Sequence, residues 1–194
     1  MNKKFELLLD DTITIFGIKL FRIKALISFG NVEEGELGGY IEKEDNLGFY
    51  GNAWVSGNAW VYGNARVYGN AWVSGNAWVS GNARVYGDAE VYGNAWVSGN
   101  ARVYGDARVS GDARVYGDAE VYGNADYIVF KNNWSSGRYF TYTRSNKMWR
   151  VGCFYGTGQE LIKKAYQDSE ESGKHYEAYV EFVEKLEKLE KTND

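Results

Sequence analysis

Residues 51–68 read GNAWVSGNAWVYGNARVY, and the same phrase (Gly, Asn or Asp, Ala, any residue, Val, Ser or Tyr) recurs every six residues as far as Ala125. Twelve full hexads begin with Gly51 and end with the one opening at Gly117; a thirteenth opens at Gly123 and breaks at Tyr127. Repetition at a short fixed period marks a solenoid, in which each unit buries its apolar face only against its neighbours. Ala and Val are two residues apart, so in an extended segment both point the same way, while the fourth and sixth residues point outward. Gly followed by Asn or Asp supplies the corner, because Gly takes positive φ freely and Asn or Asp tolerate left-handed backbone.

This pattern resembles the hexapeptide-repeat family of left-handed parallel β-helices. The resemblance implies three hexads per triangular coil, so that residues eighteen apart stack. Four coils then span roughly 19 Å at about 4.8 Å per stacked strand. Asp45–Tyr50 keeps the register with Leu47 and Phe49 inward, adding a degenerate coil and giving four to five in all. A right-handed β-solenoid of the polymer-forming cytoskeletal type is the alternative; the uniform hexad length favours the triangular form.

Under the eighteen-residue rule the variable positions sort into columns. One face stacks Trp60, Trp78, Trp96 and Arg114. The next carries Arg66, Arg84, Arg102 and Glu120 beside Tyr68, Tyr86, Tyr104 and Tyr122. The third runs Trp54, Trp72, Glu90, Arg108. The Arg and Tyr columns read either as mutual packing or as a surface for glycan or nucleic acid. Trp54, Trp60, Trp72, Trp78 and Trp96 form an apolar patch of the kind that marks an interface. Either flanking segments or another subunit is expected to cover it. Related hexapeptide-repeat proteins are commonly trimers, so the resemblance implies a homo-oligomer.

Flanking segments complete a mainly β chain, with expected boundaries of 1–38 for an N-terminal β cap, 39–126 for the β-helix and 127–194 for a C-terminal module. Phe5–Leu9, Thr12–Phe16 and Ile18–Leu26 read as a β-meander that covers the open coil end. Gly35–Glu42 (GELGGYIE) reads as a turn into the first coil; no GKS or GKT follows, so it is not a phosphate loop. After the repeats, Tyr127–Lys131, Arg138–Arg144 and Met148–Tyr155 read as three strands. Two helices follow: the first is capped by Thr157 with Glu160 and ended by Gly173, and the second carries Tyr176, Tyr179, Val180, Val183 and Leu186 at helical spacing.

The lone Cys153 has no partner for a disulfide, and residues 1–24 hold neither a signal-peptide core nor a membrane span, so the cytoplasm is the expected compartment. A net charge of −4 argues against a nucleic-acid partner. With ALISFGNVEEGELGGYIEKEDNL near its start, Trp-rich hexads and GCFYGT before the helices, the chain resembles poorly characterised hexapeptide-repeat proteins of bacteria and phages, often labelled transferases. Acyltransferases on this solenoid use a coil histidine and a projecting loop, as the resemblance implies. Here the single histidine, His175, lies outside the repeats, and no loop interrupts the twelve hexads. One Cys and one His make no zinc site. No enzyme activity, metal or cofactor is expected.

Binding is the remaining class. Tyr127–Gln159 holds five basic residues and no acidic one, whereas Glu160–Asp194 holds ten acids and six bases. Within it, Lys131, Arg138, Arg144 and Arg150 offer charge, Trp134, Tyr142 and Trp149 offer rings, and the helix start at Thr157 offers backbone N–H groups. That combination suits an anionic, nucleotide-like ligand; the opposing reading makes these aromatics the core of the small domain. Phage kinship implies a protein that sequesters a nucleotide signal or blocks a host defence. A structural scaffold assembling through the Trp faces is the alternative, with a glycan binder or an acyltransferase-like enzyme behind it.

Overall fold

The computed structural model describes residues 3–191. Phe5–Ile15 (β1) and Ile18–Ala25 (β2) form an antiparallel hairpin, bulged between Leu8 and Thr12 and turned at Phe16–Gly17, where φ is 51° and 80°. Two positive φ values in a two-residue loop match the right-handed twist of the flanking strands. Leu37–Ile41 is a strand (β3) and not the turn that its glycines suggest. Gly38 and Gly39 are there for space: a Cβ on Gly38 would stand 2.6 Å from Val55 O, and one on Gly39 2.6 Å from Ala59 O. β3 pairs antiparallel with β2 and parallel with the first rung of one solenoid face, Tyr40 opposite Trp60. The cap therefore continues that sheet directly.

Each full hexad then gives one two-residue strand, β4 to β15, from Trp54–Val55 to Glu120–Val121. They stack into three parallel sheets in eighteen-residue register, and with β3 the solenoid has about five turns. Every hexad Ala and Val from Ala53 to Val121 is fully buried. The corner glycines from Gly51 to Gly117 all have positive φ, and at Gly99 a Cβ would also meet Gly117 N at 2.8 Å, so that corner excludes a side chain twice over.

The coil before Gly51 departs from the expected register. Leu47 bridges to Val67, twenty residues on, so Leu47 is inward as expected but Phe49 is not. The corner after Leu47 is two residues longer than the others, and Phe49 turns out to stack on Phe5 at 5.0 Å.

An open coil end exposes peptide groups, and both ends are sealed. At the start, Tyr40 N and Glu42 N donate to Ala59 O and Val61 O, Asn46 Nδ2 donates to Gly63 O and Ala65 O, and Lys4 Nζ donates to Gly51 O and Ala53 O. At the finish, Asn124 Oδ1 accepts from Arg108 N, Tyr127 Oη donates to Arg108 O, and Ser145 Oγ accepts from Glu120 N.

Contacts divide the chain into two units, one running to Tyr127 with Thr143–Asn146 added, the other made of Ile128–Tyr142 and the chain from Lys147 onward. In the second, Tyr127–Lys131 (β16), Tyr139–Thr143 (β17), Met148–Val151 (β18) and Phe154–Gly156 (β19) form a four-stranded sheet in that order. Helices Gly158–Asp168 (α1) and Glu170–Lys191 (α2) supply the rest of its core, which joins Phe140, Trp149, Leu161, Tyr176 and Val180. The break between the helices falls at Ser169, whose Oγ accepts from Ser172 N, and not at Gly173. Gly173 lies inside α2 because a Cβ there would run into the Tyr166 ring. No described helix is long and apolar enough to cross a membrane.

Candidate functional site

The cationic, aromatic stretch after the repeats does not assemble as the sequence suggests. Tyr142 and Trp149 are core residues, 5% and 2% exposed, because that sheet face packs on α1 and α2. What opens beside them is a hollow of about 280 Å³ that Glu184 and Glu187 line together with Lys147 and Lys188, so it offers no excess of positive charge to an anion. Tyr142 Oη donates to Glu187 Oε1 at 2.7 Å. Trp134 is 79% exposed, Lys131 Nζ sits 5.5 Å from the centre of the Tyr139 ring, and the Arg138 stem lies over Gly152. Arg150 Nη1 donates to Cys153 O at 3.0 Å, tying the β18–β19 hairpin. Arg144 belongs to the other unit, with Nη1 3.4 Å from Ala125 O.

Thr157 is the N-cap of α1 as expected, but its neighbourhood is already filled. Glu160 Oε2 accepts from Thr157 N at 2.8 Å and from Thr157 Oγ1 at 2.9 Å, which holds the Glu160 carboxyl below its usual range. The chain's own carboxylate stands where a bound anion was expected.

Trp54 is likewise not an interface residue: it is fully buried, with Phe29 edge-on at 5.5 Å. Trp60, Trp78 and Trp96 stack at 4.5 and 4.4 Å in the expected column and are half-buried, as is Trp72. Phe16, at the hairpin tip, meets Trp78 edge-on at 6.0 Å, and the Arg114 guanidinium lies 5.0 Å from Trp96. The N-terminal cap thus covers part of the patch itself.

The remaining face carries charge that the chain leaves uncompensated at two rungs. Arg66, Arg84 and Arg102 stand in register, all exposed. Arg102 pairs with Glu120 at 3.1 Å, whereas the Arg66 and Arg84 guanidinium groups have no hydrogen-bond or ion-pair partner among the described residues. Like charges one rung apart repel by about 1 kcal/mol in water, and more near a protein surface. The neighbouring face does the opposite and sets Glu90 against Arg108 at 3.5 Å.

Beside the arginines runs the tyrosine ladder: Tyr68 on Tyr86 at 4.9 Å and 2°, Tyr86 on Tyr104 at 5.2 Å and 6°. Burial pushes the Tyr68 hydroxyl above its ordinary pKa, Tyr86 adds to this, and the three arginines oppose it. Two hollows open at the cap end of this face. A polar one of about 380 Å³ is lined by Lys43, Asp45, Asn64, Arg66, Asn82 and Arg84. An apolar one of about 370 Å³ shares Asp45 and Arg66 with it and is lined further by Leu47, Phe49, Tyr50 and Tyr68. Sequence reasoning saw the columns but missed the hollows. Their signal is Gly48, three residues before Gly51 where the repeat demands six.

Asparagine ladders border these faces. Asn64 Nδ2 donates to Asn82, Asn82 to Asn100 and Asn100 to Asp118, and another ladder runs Asn58, Asn76, Asn94, Asp112. Asp accepts only, so it closes a ladder where no further donor is needed.

Comparison with known proteins agrees with this architecture. The YdcK beta solenoid repeat matches in seven overlapping windows that run from residues 59–75 to residues 107–123. No curated protein matches the chain. The chain is a β-solenoid repeat protein, similar through residues 59–123 to the YdcK repeat.

Proposed function

We propose that this is a non-catalytic binding protein that holds an anionic small molecule on the Arg66–Arg84–Arg102 face. The observation that carries the reading is the register of Arg66 with Arg84, neither guanidinium holding an ion-pair partner among the described residues, beside an open hollow that Lys43 also lines. A bound anion offsets the repulsion and takes up guanidinium donors otherwise left to water. The groups around the hollow are cations, amides and the single carboxylate of Asp45, which suit holding charge more than moving protons. Sequestration of the ligand is the function that follows.

The test is calorimetric titration with inorganic pyrophosphate. Charge-assisted hydrogen bonds contribute about 1.5–3 kcal/mol each, so Arg84→Gln is expected to weaken binding by about tenfold or more, and added salt to weaken it further. Absence of binding, or binding that survives Arg66→Gln and Arg84→Gln together, overturns the reading.

A second reading is favoured by the half-buried Trp60–Trp78–Trp96 column: self-association into a homo-oligomer, with a trimer as the closed form. Light scattering decides it. A monomer at micromolar concentration removes it; an oligomer that Trp96→Ser dissociates supports it.

A further inference from the structure

The tyrosine ladder stops one ring short. Tyr104, Tyr86 and Tyr68 stack with nearly parallel planes, and the rung that precedes Tyr68 offers Gly48, which has no side chain. Gly48 N donates to Val67 O at 2.8 Å, and its Cα sits so close that a Cβ would stand 2.9 Å from Tyr68 Cβ. The apolar hollow therefore occupies the place where the register calls for another flat ring. Its walls come from the lengthened corner, with Phe49 38% exposed and Tyr50 72% exposed.

We infer that this vacancy receives the planar base of a nucleoside phosphate, whose phosphates lie on Arg66 and Arg84; the inference rests on the anion site proposed above. Three observations converge on it. Tyr68 presents to the hollow the ring face that Tyr86 does not cover, and base–aromatic stacking is sequence-tolerant and strong. Arg66 borders both hollows, so one guanidinium spans the junction of charged and flat parts. Arg66 and Tyr68 are i and i+2 on extended backbone, about 6.6 Å apart, which is about the reach of the sugar between a base and its phosphate. Asp45 also borders both hollows and offers a carboxylate acceptor to a sugar hydroxyl at that junction. An isolated anion would use the polar hollow and leave the apolar one empty.

The experiment compares inorganic pyrophosphate with ADP, GDP and UDP by calorimetry on wild type, Tyr68→Ala and Tyr50→Ser. Wild type is expected to bind at least one nucleoside diphosphate about tenfold more tightly than pyrophosphate. Tyr68→Ala is expected to erase that gain while leaving pyrophosphate affinity within about twofold, and Tyr50→Ser, at a more exposed position, to reduce it. Equal affinities for pyrophosphate and all three nucleotides overturn this inference and leave the anion site standing. A gain that survives both substitutions also overturns it. Failure of every anion to bind overturns both.

Discussion

Lys4 carries an ammonium group into the end of the solenoid and spreads it over three carbonyls, those of Gly48, Gly51 and Ala53, at 3.3, 3.1 and 2.6 Å, with the Phe29 ring 4.2 Å away. It does for one face what β3 and Asn46 do for the other two. Burial lowers its pKa to about 8 from the ordinary 10.5. The folded state therefore binds fewer protons than the unfolded chain between those values, so this group's contribution to stability rises as pH climbs from about 8 towards 10.5. Lys4→Met is expected to destabilise the protein by about 1.5–3 kcal/mol near neutrality. The gap between wild type and variant should widen from pH 7.5 to pH 10, as read by denaturant unfolding. A gap that narrows would show that the charge itself, and not its burial, dominates. None of this was legible beforehand, because Lys4 gains its meaning from carbonyls more than forty residues away. The inward Ala and Val were legible, because their partners are copies of themselves.

At the scale of elements, local chemistry announced itself and packing between elements did not. The box formed by Thr157 and Glu160 starts α1 where the sequence places it, since every atom involved lies within four residues. Gly173 reads as a helix end by composition, yet it sits within α2 because the Tyr166 ring of α1 fills the space of its missing side chain. The two effects can be set against each other. Gly173→Ala gains about 1 kcal/mol of helix propensity but forces the ring off its seat, and overpacking typically costs about 1–3 kcal/mol. Tyr166 is further held by its hydrogen bond to Glu177 Oε2 at 2.7 Å, so the ring yields little. A net loss of stability is expected in thermal melts; a stabilised variant would mean that the helices separate at little cost. The same logic explains β3, where two glycines that look like a turn are thin enough to let a strand lie against the first coil.

For the whole molecule, the period fixed which residues share a face, and the three columns of Trp, Arg and mixed residues stand as the eighteen-residue rule sorted them. The two hollows open beside the one coil that breaks the rule, so the candidate site was legible only as an irregularity. Register is then the property on which the proposed function depends, and it can be tested separately from the fold. Duplicating residues 69–86 inserts one coil and keeps Arg66 over Arg84. Duplicating residues 69–74 inserts one hexad and places Arg66 over Trp78. Both variants keep an inward Ala and Val at every rung, so both are expected to fold by circular dichroism. Pyrophosphate affinity should stay within about twofold in the first and fall by about tenfold in the second, since half of the guanidinium pair is displaced.

That separation between inside and outside has a hereditary side. A gene made of short near-identical units is prone to unequal recombination, which adds or removes whole units. Each such event in this chain would leave the buried ladder of Ala and Val intact and rotate everything downstream by one face. Three units restore the columns, and one or two units shuffle them. A lineage carrying this repeat could thus try new surfaces wholesale, without crossing an unfolded intermediate, while the two sealed ends travel unchanged.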